Sequence, residues 1–548
     1  MIAKKRVFRQ SVAGVLRTAS TAWVLTLLAG TGLTAQASGV LFGPFPLGYL
    51  PNGLPDPAYS RQVGPAISQE RALQDIRSDD HANRILSEPT HQLILSQDVS
   101  GAGGTRTLKF QDYYKGLEVI GGMSLHHTTP VGIQTSDFLK SFDLDVTPRL
   151  SPEEAASVAL AVGTSSGSSQ SLKSQPALKV LPANGADTAK LVYWVTIKPE
   201  GGSPGSDIIV DAHTGELVAH LSHREAVDPV FSRSRKKPKP VTPKPVPVPI
   251  HTGPIAPIEV YQATSACQTF DFQGDLANFS PTQCTHVITQ SAASTRADAS
   301  ALRAASNANQ VLTYYLNIHG RSSFDNQGAS SVSVVHIGRK FDNAFWDSDL
   351  KVMAYGDGDG TEFGDFTKGV DVAGHEMTHG VVSQTAKLLG YGDSGALNEA
   401  YADFFGRMVA NDGQWVMGTQ LYLHPTSASG IRDLADPGNL TYTVGTSTKK
   451  YPSTMAEKLP VGTQCDPGTN DSCWVHINAT IPGHASYLVV QAIGQAKAEQ
   501  IYYLALTQYL TATMDFHGAR DQTVKACQAL YPTATCQEVV AAFAQVGL

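Results

Sequence analysis

Residues 371–387 read DVAGHEMTHGVVSQTAK, a stretch whose apolar positions recur with the period of an α-helix. His375 and His379 are four residues apart, so on a helix they lie one turn apart on the same face. Two imidazoles placed in this way can reach one metal ion, and the H-E-x-x-H pattern is typical of zinc sites. The stretch therefore predicts a helix that presents part of a zinc site.

A second motif supplies what the first lacks. Residues 398–403 read NEAYAD and belong to another predicted helix, in which Glu399 is suited to be the third zinc ligand. Asp403, one turn later, can accept a proton from the free ring nitrogen of a ligand histidine. Three protein ligands leave one position for water, which indicates a catalytic zinc. Glu376 then needs no metal bond and can act as general base on the zinc-bound water.

Composition limits the class of protein. The chain has 548 residues, is 42% hydrophobic and 16% charged, and so has the profile of a globular protein of about three domains. Its net charge of −7 is small for this length. A nucleic-acid partner would need a dense basic face, so none is expected. We expect a monomer.

The first 37 residues have the features of a secretory signal. Basic residues at the start are followed by an apolar run from Trp23 to about Leu33 and by the small residues of Ala35-Gln36-Ala37. The run is shorter than the ~20 residues that span a bilayer, which disfavours the alternative of a membrane anchor. We expect a secreted protein without a membrane segment; the periplasm is the alternative destination.

The cysteines agree with export. There are six of them, and an even number in an exported chain favours disulfides. Of the 15 pairings that six cysteines allow, we favour the local ones, with free cysteines as the alternative. The favoured pairs are Cys267 with Cys284, Cys465 with Cys473, and Cys527 with Cys536.

The sequence pattern of several further segments predicts strands, helices or an extended spacer. Residues 110–127 are predicted to form two short strands, and residues 193–218 to form three. Helices are predicted at 307–319, 371–387, 396–410 and 485–513, and a strand at 331–336. Residues 232–257 are dense in proline and positive charge, which favours an extended spacer open to proteases. Recognition by a proline-binding module is the alternative.

The chain resembles the thermolysin-like neutral metallopeptidases over essentially its whole length. HEMTH and NEAYAD match in sequence and in separation. NAFW at 343–346, YGDGDG at 355–360, RDLADP at 432–437 and VHIN at 475–478 match further family segments. The front half resembles the family's propeptide through FQDYYKGLEV and IIVDAHTGELV.

The resemblance implies an α+β fold: a two-lobed catalytic domain with an α/β front lobe and a mainly helical back lobe, preceded by a propeptide of two small α+β modules. The expected segments are a signal peptide at 1–37, propeptide modules at 38–135 and 136–223, a linker at 224–257, a catalytic front lobe with the zinc helix at 258–390 and a helical back lobe at 391–548. The propeptide is expected to assist folding and to block the cleft until cleavage between about 223 and 265.

The resemblance also implies roles in catalysis. His476 would donate to the oxyanion that forms during hydrolysis, and Asp471 would orient and charge His476. Tyr391 would be the second donor, although this chain is one residue shorter than the family between Tyr391 and Glu399.

Substrate-binding residues follow from the same resemblance. Asn343 and the backbone of Ala344 would hold the substrate backbone, and Arg432 would bind the carbonyl just after the scissile bond. Six apolar residues fall where the family lines its main specificity pocket and the rim of that pocket: Val372, Met417, Leu421 and Ile431, with Phe363 and Phe366 at the rim. We expect cleavage before bulky hydrophobic residues.

One feature departs from the family, which commonly holds paired calcium ions after the third zinc ligand. The matching stretch here is residues 410–420, and only Asp371, before the zinc helix, and Asp412, within the stretch, are acidic where ligands are needed. Calcium takes several hard oxygen ligands. The expected metal content is therefore one catalytic zinc, with the paired calcium site absent and disulfides partly in its place.

The sequence thus predicts a secreted zinc endopeptidase that acts on protein or peptide substrates, with its own propeptide as intramolecular inhibitor and folding aid. A catalytically silent zinc-containing binding protein is one alternative. An aminopeptidase that shares the H-E-x-x-H motif is another, disfavoured because no acidic motif for binding a substrate amino terminus is evident.

Overall fold

The structure is a computed structural model, and it describes residues 67–101, 104–164, 169–182, 188–199, 205–227, 255–270, 276–426, 429–444, 447–462 and 464–548. The predicted signal peptide and most of the predicted linker lie outside these residues. Within the described ranges, no helix is both long and apolar enough to cross a membrane.

The front half of the chain forms one nine-stranded sheet against which three helices pack. The spatial order is β1-β2-β3-β6-β7-β8-β9, with β4 paired to β3 and β5 paired to β7. The helices are α1 (Gln69–Arg77), α2 (Asp80–Leu86) and α3 (Pro152–Thr164). The strands are β1 (His91–Ser100), β2 (Arg106–Tyr114), β3 (Leu117–Thr129), β4 (Gly132–Asp137), β5 (Gln170–Leu172), β6 (Ala177–Leu181), β7 (Lys190–Pro199), β8 (Ser206–Asp211) and β9 (Leu217–Ser222).

Two apolar cores lie between this sheet and its helices. One lies under α1 and α2 and includes Ile85 and Phe110; the other lies under α3 and includes Ala155 and Tyr193. The two halves meet where β3 and β6 pair in parallel. The predicted hairpin within 110–127 and the three strands within 193–218 are confirmed.

A second, seven-stranded sheet has the order β10-β17-β18-β16-β11-β14-β15. Its centre is parallel, because β16 pairs in parallel with both β11 and β18. The strands are β10 (Arg224–Ala226), β11 (Ile258–Gln262), β14 (Thr285–Thr289), β15 (Ala292–Ala293), β16 (Ser331–Ile337), β17 (Ala344–Asp347) and β18 (Val352–Gly356). Small hairpins are formed by β12 (Gln268–Phe270) with β13 (Leu276–Phe279), and by β19 (Thr441–Val444) with β20 (Ser447–Lys450).

The remaining helices build the floor of the cleft and the back lobe. They are α4 (Ala299–His319), α5 (Val370–Gln384), α6 (Gly392–Ala410), α7 (Pro467–Asn478), α8 (Thr480–Ile493), α9 (Gln495–Leu504), α10 (Phe516–Leu530) and α11 (Thr533–Gln545), with a π-helical turn at Ala505–Tyr509. The predicted fold class, a mixed front lobe and a helical back lobe behind a propeptide, is confirmed.

Some predicted boundaries are wrong. The helical pattern at 485–513 is not one helix, because Gly494 adopts φ +85° and separates α8 from α9. A positive φ favours glycine and ends a right-handed helix. Helix α4 begins at Ala299 and α6 at Gly392, earlier than predicted. The three favoured disulfides are all formed.

The nine-stranded sheet packs on the helical back lobe around the π-helical turn. Thr107 donates to Gln508 Oε1 at 2.7 Å, and the His127 ring stacks on Tyr509 with centroids 3.7 Å apart. Ser136 donates to Gln522 Oε1 at 2.8 Å. The predicted propeptide is therefore packed onto the catalytic part of the chain through polar as well as ring contacts.

Candidate active site

Two helices meet closely at the base of the cleft. Helices α5 and α6 touch at a pair of glycines: a Cβ on Gly374 would lie 3.0 Å from the Cα of Gly406. A Cβ on Gly406 would lie 2.5 Å from the carbonyl oxygen of Asp371. Only glycine permits such an approach. The approach brings side chains of both helices to one point.

That point is lined by the three predicted metal ligands. His375 Nε2 and His379 Nε2 lie 3.0 Å apart, and each lies 3.4 Å from a carboxylate oxygen of Glu399. Both histidines are fully buried. Two imidazole nitrogens so close to each other and to a carboxylate could share one cation, and this donor set is one that zinc prefers.

Outer groups fix the orientation of both imidazoles. His375 Nδ1 lies 2.9 Å from Asp403 Oδ1, as predicted for the proton acceptor behind a ligand histidine. His379 Nδ1 lies 3.0 Å from Asn398 Oδ1. With both Nδ1 atoms engaged, both Nε2 atoms face the metal position. The place of Asn398 at the start of NEAYAD is the only signal of this role in the sequence.

Glu376 lies beside this position and is fully buried. Its Oε2 atom has no hydrogen-bonding partner among the described residues, and its Oε1 accepts from the backbone N–H of Val227 at 3.3 Å. Burial raises the pKa of the Glu376 carboxyl to about 8. A carboxyl with such a pKa can exchange a proton near neutral pH.

His476 reaches the same point from α7. Its Nδ1 lies 2.5 Å from Asp471 Oδ1, and its backbone N–H donates to Asp471 Oδ2 at 2.9 Å. Its Nε2 lies 3.6 Å from Glu399 Oε1 and 2.8 Å from the carbonyl oxygen of Ala226. The Asp471 pair holds the ring so that Nε2 points into the cleft.

Arg432 is buried behind the zinc ligands. Its Nε donates to Asp403 Oδ2 at 2.6 Å and its Nη2 to Asp403 Oδ1 at 2.8 Å. Nη2 also lies 3.3 Å from Glu399 Oε2. The guanidinium balances the charge of the two carboxylates at the metal position. Burial raises the pKa of Asp403, but the positive charge and hydrogen bonds of Arg432 outweigh burial and hold this pKa below its usual range.

An extended segment from the end of the front half occupies the cleft. β10 pairs antiparallel with β17, so that Glu225 lies opposite Trp346 and Ala226 opposite Phe345. Glu225 Oε1 accepts from Asn398 Nδ2 at 3.0 Å. The backbone N–H of Val227 also lies 3.2 Å from the carbonyl oxygen of Ala344. Residues 223–227, HREAV, carry no periodicity or motif from which this strand could be predicted.

The predicted specificity pocket is apolar and closed. Its predicted residues are all buried in one cluster that also contains Val227, which is itself fully buried: Val372, Met417, Leu421, Ile431, Phe363 and Phe366. Asn343 accepts through Oδ1 from the N–H of Ala344 at 2.9 Å, at the start of the edge strand.

Tyr391 packs against the front half of the chain. It precedes α6 and packs against an apolar cluster that includes Val218 and Leu221 of the front half. Burial raises its pKa to about 12. The front half thus covers Tyr391, whose role as a second donor stays a prediction.

These features define a class: a hydrolase site with three convergent side chains that could bind zinc, a buried carboxyl beside them and an edge strand that pairs with an extended segment. Residues 252–383 match the family description "Thermolysin metallopeptidase, catalytic domain", and residues 386–548 match "Thermolysin metallopeptidase, alpha-helical domain". The chain belongs to the thermolysin family of metallopeptidases, and it is a zinc metalloendopeptidase.

Relatives cover most of the chain. It is 30% identical over 483 residues to bacillolysin of Brevibacillus brevis, covering 84% of this chain and 85% of the relative. Neutral protease B of Bacillus subtilis (strain 168) is 29% identical, covering 80% and 81%. Among solved structures, the precursor of protealysin, a metalloproteinase from Serratia proteamaculans, is 28% identical with a TM-score of 0.46, covering 55% of this chain and 90% of that chain.

Proposed function

We propose that the chain is the precursor of a secreted endopeptidase that cleaves before bulky hydrophobic residues, with Glu376 as the general base. The observation that carries the proposal is the convergence of His375, His379 and Glu399 beside Glu376, with an extended peptide lying along β17. The relatives named as neutral proteases, and the extracellular elastase of Staphylococcus epidermidis, support export and proteolysis.

The donor set fits zinc, which His375, His379 and Glu399 would hold. A bound zinc ion supplies a Lewis acid that polarises the substrate carbonyl and acidifies water. Glu376 takes the proton of the attacking water and returns it to the departing amine. His476, oriented by Asp471, donates to the carbonyl oxygen as that oxygen becomes negative.

Other groups position the substrate. The carbonyl of Ala344 accepts from the amide N–H that becomes the leaving amine, and Asn343 stabilises the start of the edge strand. Arg432 holds Asp403 and Glu399 in place and lies ready for the carbonyl after the scissile bond. Tyr391 becomes available as a second donor once the front half has left. These roles rest on geometry and on the family resemblance together.

The experiment that tests this function uses mature protein and peptides blocked at both ends. We expect cleavage before leucine or phenylalanine, loss of cleavage with a zinc chelator and recovery with added zinc. Cleavage restricted to free amino termini would favour the aminopeptidase alternative. Zinc binding without any cleavage would favour the silent binding protein. A preference for charged residues after the bond would overturn the pocket assignment.

We further propose that the front half is an inhibitory propeptide and that Ala226–Val227 is the bond it presents to the active site. The carbonyl of Ala226 accepts from His476 Nε2, and the N–H of Val227 faces Glu376 and the carbonyl of Ala344. These are the groups that the mechanism assigns to a scissile bond. Val227 is fully buried in the same apolar cluster as the predicted pocket residues, as suits a residue after the bond.

An ion-pair latch lies just before this segment. His223 Nδ1 lies 2.9 Å from Asp349 Oδ2 of the catalytic part and its Nε2 3.2 Å from Asp207 Oδ2 of the propeptide. Lys173 donates to Asp349 as well, at 2.7 Å. Burial lowers the pKa of His223, but the two carboxylates outweigh burial and raise it to about 9. The latch is therefore charged at neutral pH and anchors the inhibitory segment.

Finally, we propose that Arg407 replaces the family's paired calcium ions. Its guanidinium donates to Asp371 Oδ2 at 2.7 Å, pairs with Asp412 and donates through Nε to the carbonyl of Gln414 at 2.9 Å. Asp371 also accepts from the N–H of Gly418 at 2.8 Å. A guanidinium between the two carboxylates does not fit a calcium ion there. One side chain thus ties α5 and α6 to the loop that carries Met417.

A further inference from the structure

The loop that delivers His476 to the active site contains a left-handed turn. Four consecutive residues, Asp471, Ser472, Cys473 and Trp474, have φ values of 51°, 49°, 69° and 66°. None of them is glycine. In this conformation the Cβ atom crowds the following carbonyl oxygen, and non-glycine residues normally adopt it singly. A run of four must be stabilised by contacts outside the turn.

The turn determines where Asp471 points. In a right-handed helix, residues three or four apart are neighbours and residues five apart are not. The left-handed turn instead folds Asp471 back onto residue 476, so that its carboxylate contacts both the ring Nδ1 and the backbone N–H of His476. The alignment of His476 with the scissile carbonyl therefore depends on this turn.

The preceding loop provides the stabilising contacts. Asn470 Oδ1 accepts from the N–H of Cys473 and from the N–H of Asp466, both at 3.0 Å. Asp466 in turn accepts from the N–H of Thr469 at 3.0 Å. The disulfide joins Cys473, inside the turn, to Cys465 at the base of the loop, and both cysteines are buried. It is the covalent link between turn and base.

We propose that the Cys465–Cys473 disulfide is a positioning device for His476, which it controls by holding the left-handed turn that aims Asp471. The inference rests on the proposed function of His476. In the precursor the propeptide supports the same loop: the N–H of His220 donates to the carbonyl of Cys465 at 2.9 Å, and Cys465 N–H donates to Val218 at 3.3 Å. After the propeptide has left, the disulfide stabilises the loop without the propeptide contacts.

The chain offers a matched control. Cys527–Cys536 spans nine residues where Cys465–Cys473 spans eight, and it joins α10 to α11. Loops of nearly equal length constrain the unfolded chain to nearly equal extents. Removing either disulfide should therefore have a similar effect on unfolding, and only one removal should affect His476.

The test compares three variants of the full precursor, assayed after propeptide removal: C465A/C473A, C465A/C473G and C527A/C536A. In C465A/C473A we expect kcat to fall about 10–100-fold, with KM within about two-fold and one zinc retained per chain, because an oxyanion donor is misplaced. C465A/C473G should recover most of that loss, since glycine tolerates φ 69°. The control should keep the wild-type kcat.

Two results would overturn the inference: an unchanged kcat in C465A/C473A, or the same loss with alanine and with glycine at position 473. If these variants do not fold, graded reduction of the mature wild type with zinc present gives the same answer. Activity should track alkylation of Cys465 and Cys473, mapped by mass spectrometry; activity that tracks Cys527 and Cys536 instead would contradict it. A wild type that cleaves no blocked peptide would refute the proposed function itself.

Discussion

The active site has two halves that are built in different ways. The metal half lies on two regular helices, α5 and α6, and its ligands come from short motifs whose spacing the helices fix. The substrate half combines an edge strand, the strand that we propose to be inhibitory and a left-handed turn tied by a disulfide. Metal binding thus depends on local helix geometry. Substrate alignment depends on contacts between segments far apart in the chain. A substitution in one half should therefore change metal binding or substrate alignment without changing the other.

The largest effect is expected from Glu376→Gln, which removes the base and leaves the ligands. Hydrolysis of a blocked peptide should fall by about 10²–10⁴-fold. The precursor should also remain uncut at Ala226–Val227, while zinc content measured by mass spectrometry is unchanged. The exposed Glu538→Gln on α11 is the control. Substantial activity in Glu376→Gln would refute the mechanism.

Val227→Asp tests the substrate half of the site alone. Placing an unpaired carboxylate in the apolar pocket costs several kcal/mol, so processing should slow by roughly 100-fold or more. Time courses of precursor cleavage, with mass spectrometry of the new amino terminus, measure it. Val540→Asp at an exposed position, 44% accessible, is the matched control. Unaltered processing at another bond would show that Ala226–Val227 is not the presented bond.

Asp403→Ala tests the metal half of the site. Loss of a group that orients a ligand histidine typically lowers metal affinity by about 10–100-fold. Competition with a zinc chelator measures the affinity, and the exposed Asp521→Ala serves as control. A variant that lost activity with wild-type zinc affinity would place Asp403 with the substrate half instead.

Arg407→Met tests the proposed substitute for calcium, which links the two helices to a pocket wall. Breaking a buried ion pair costs about 3–5 kcal/mol, so the melting temperature should fall by roughly 5–15 °C. Wild type should melt at one temperature with calcium or with a calcium chelator when zinc is supplied. Arg520→Met, in an exposed pair with Asp521, should change little. A calcium-dependent gain in the wild type that Asp371→Asn abolishes would contradict the proposal.

The smallest effect concerns the latch at His223. Its pKa is raised to about 9, so its contribution to propeptide binding is complete below about pH 6.5 and is lost as pH rises through 9. Propeptide release should be a few-fold faster at pH 10 than at pH 7. His223→Ala should remove this pH dependence, and at pH 7 the variant should release its propeptide as fast as the wild type does at pH 10. Equal rates for wild type at both pH values would show that other contacts hold the segment.

Some of this site could be predicted from sequence because its information is local. HEMTH and NEAYAD encode ligands through helical spacing, and helices α5 and α6 then need only to approach each other. The roles of Asn398 and Arg407 could not be predicted. Their partners, Glu225 and Asp371, lie 173 and 36 residues away in the chain, and no periodicity connects such residues.

Two backbone conformations could not be predicted from the sequence either. The left-handed turn at Asp471–Trp474 contains no glycine, so residue type gave no signal of positive φ, and the break at Gly494 was hidden within an apolar helical pattern. By itself the sequence predicted the three disulfide pairs and the fold class, which are confirmed, because they follow from spacing or from a family resemblance. It also predicts the zinc ligands and the base, and these stay predictions. Only the tertiary structure decided which segment lies along β17, which carboxylates surround Arg407 and which groups contact His476, because these depend on contacts that form when remote segments pack together.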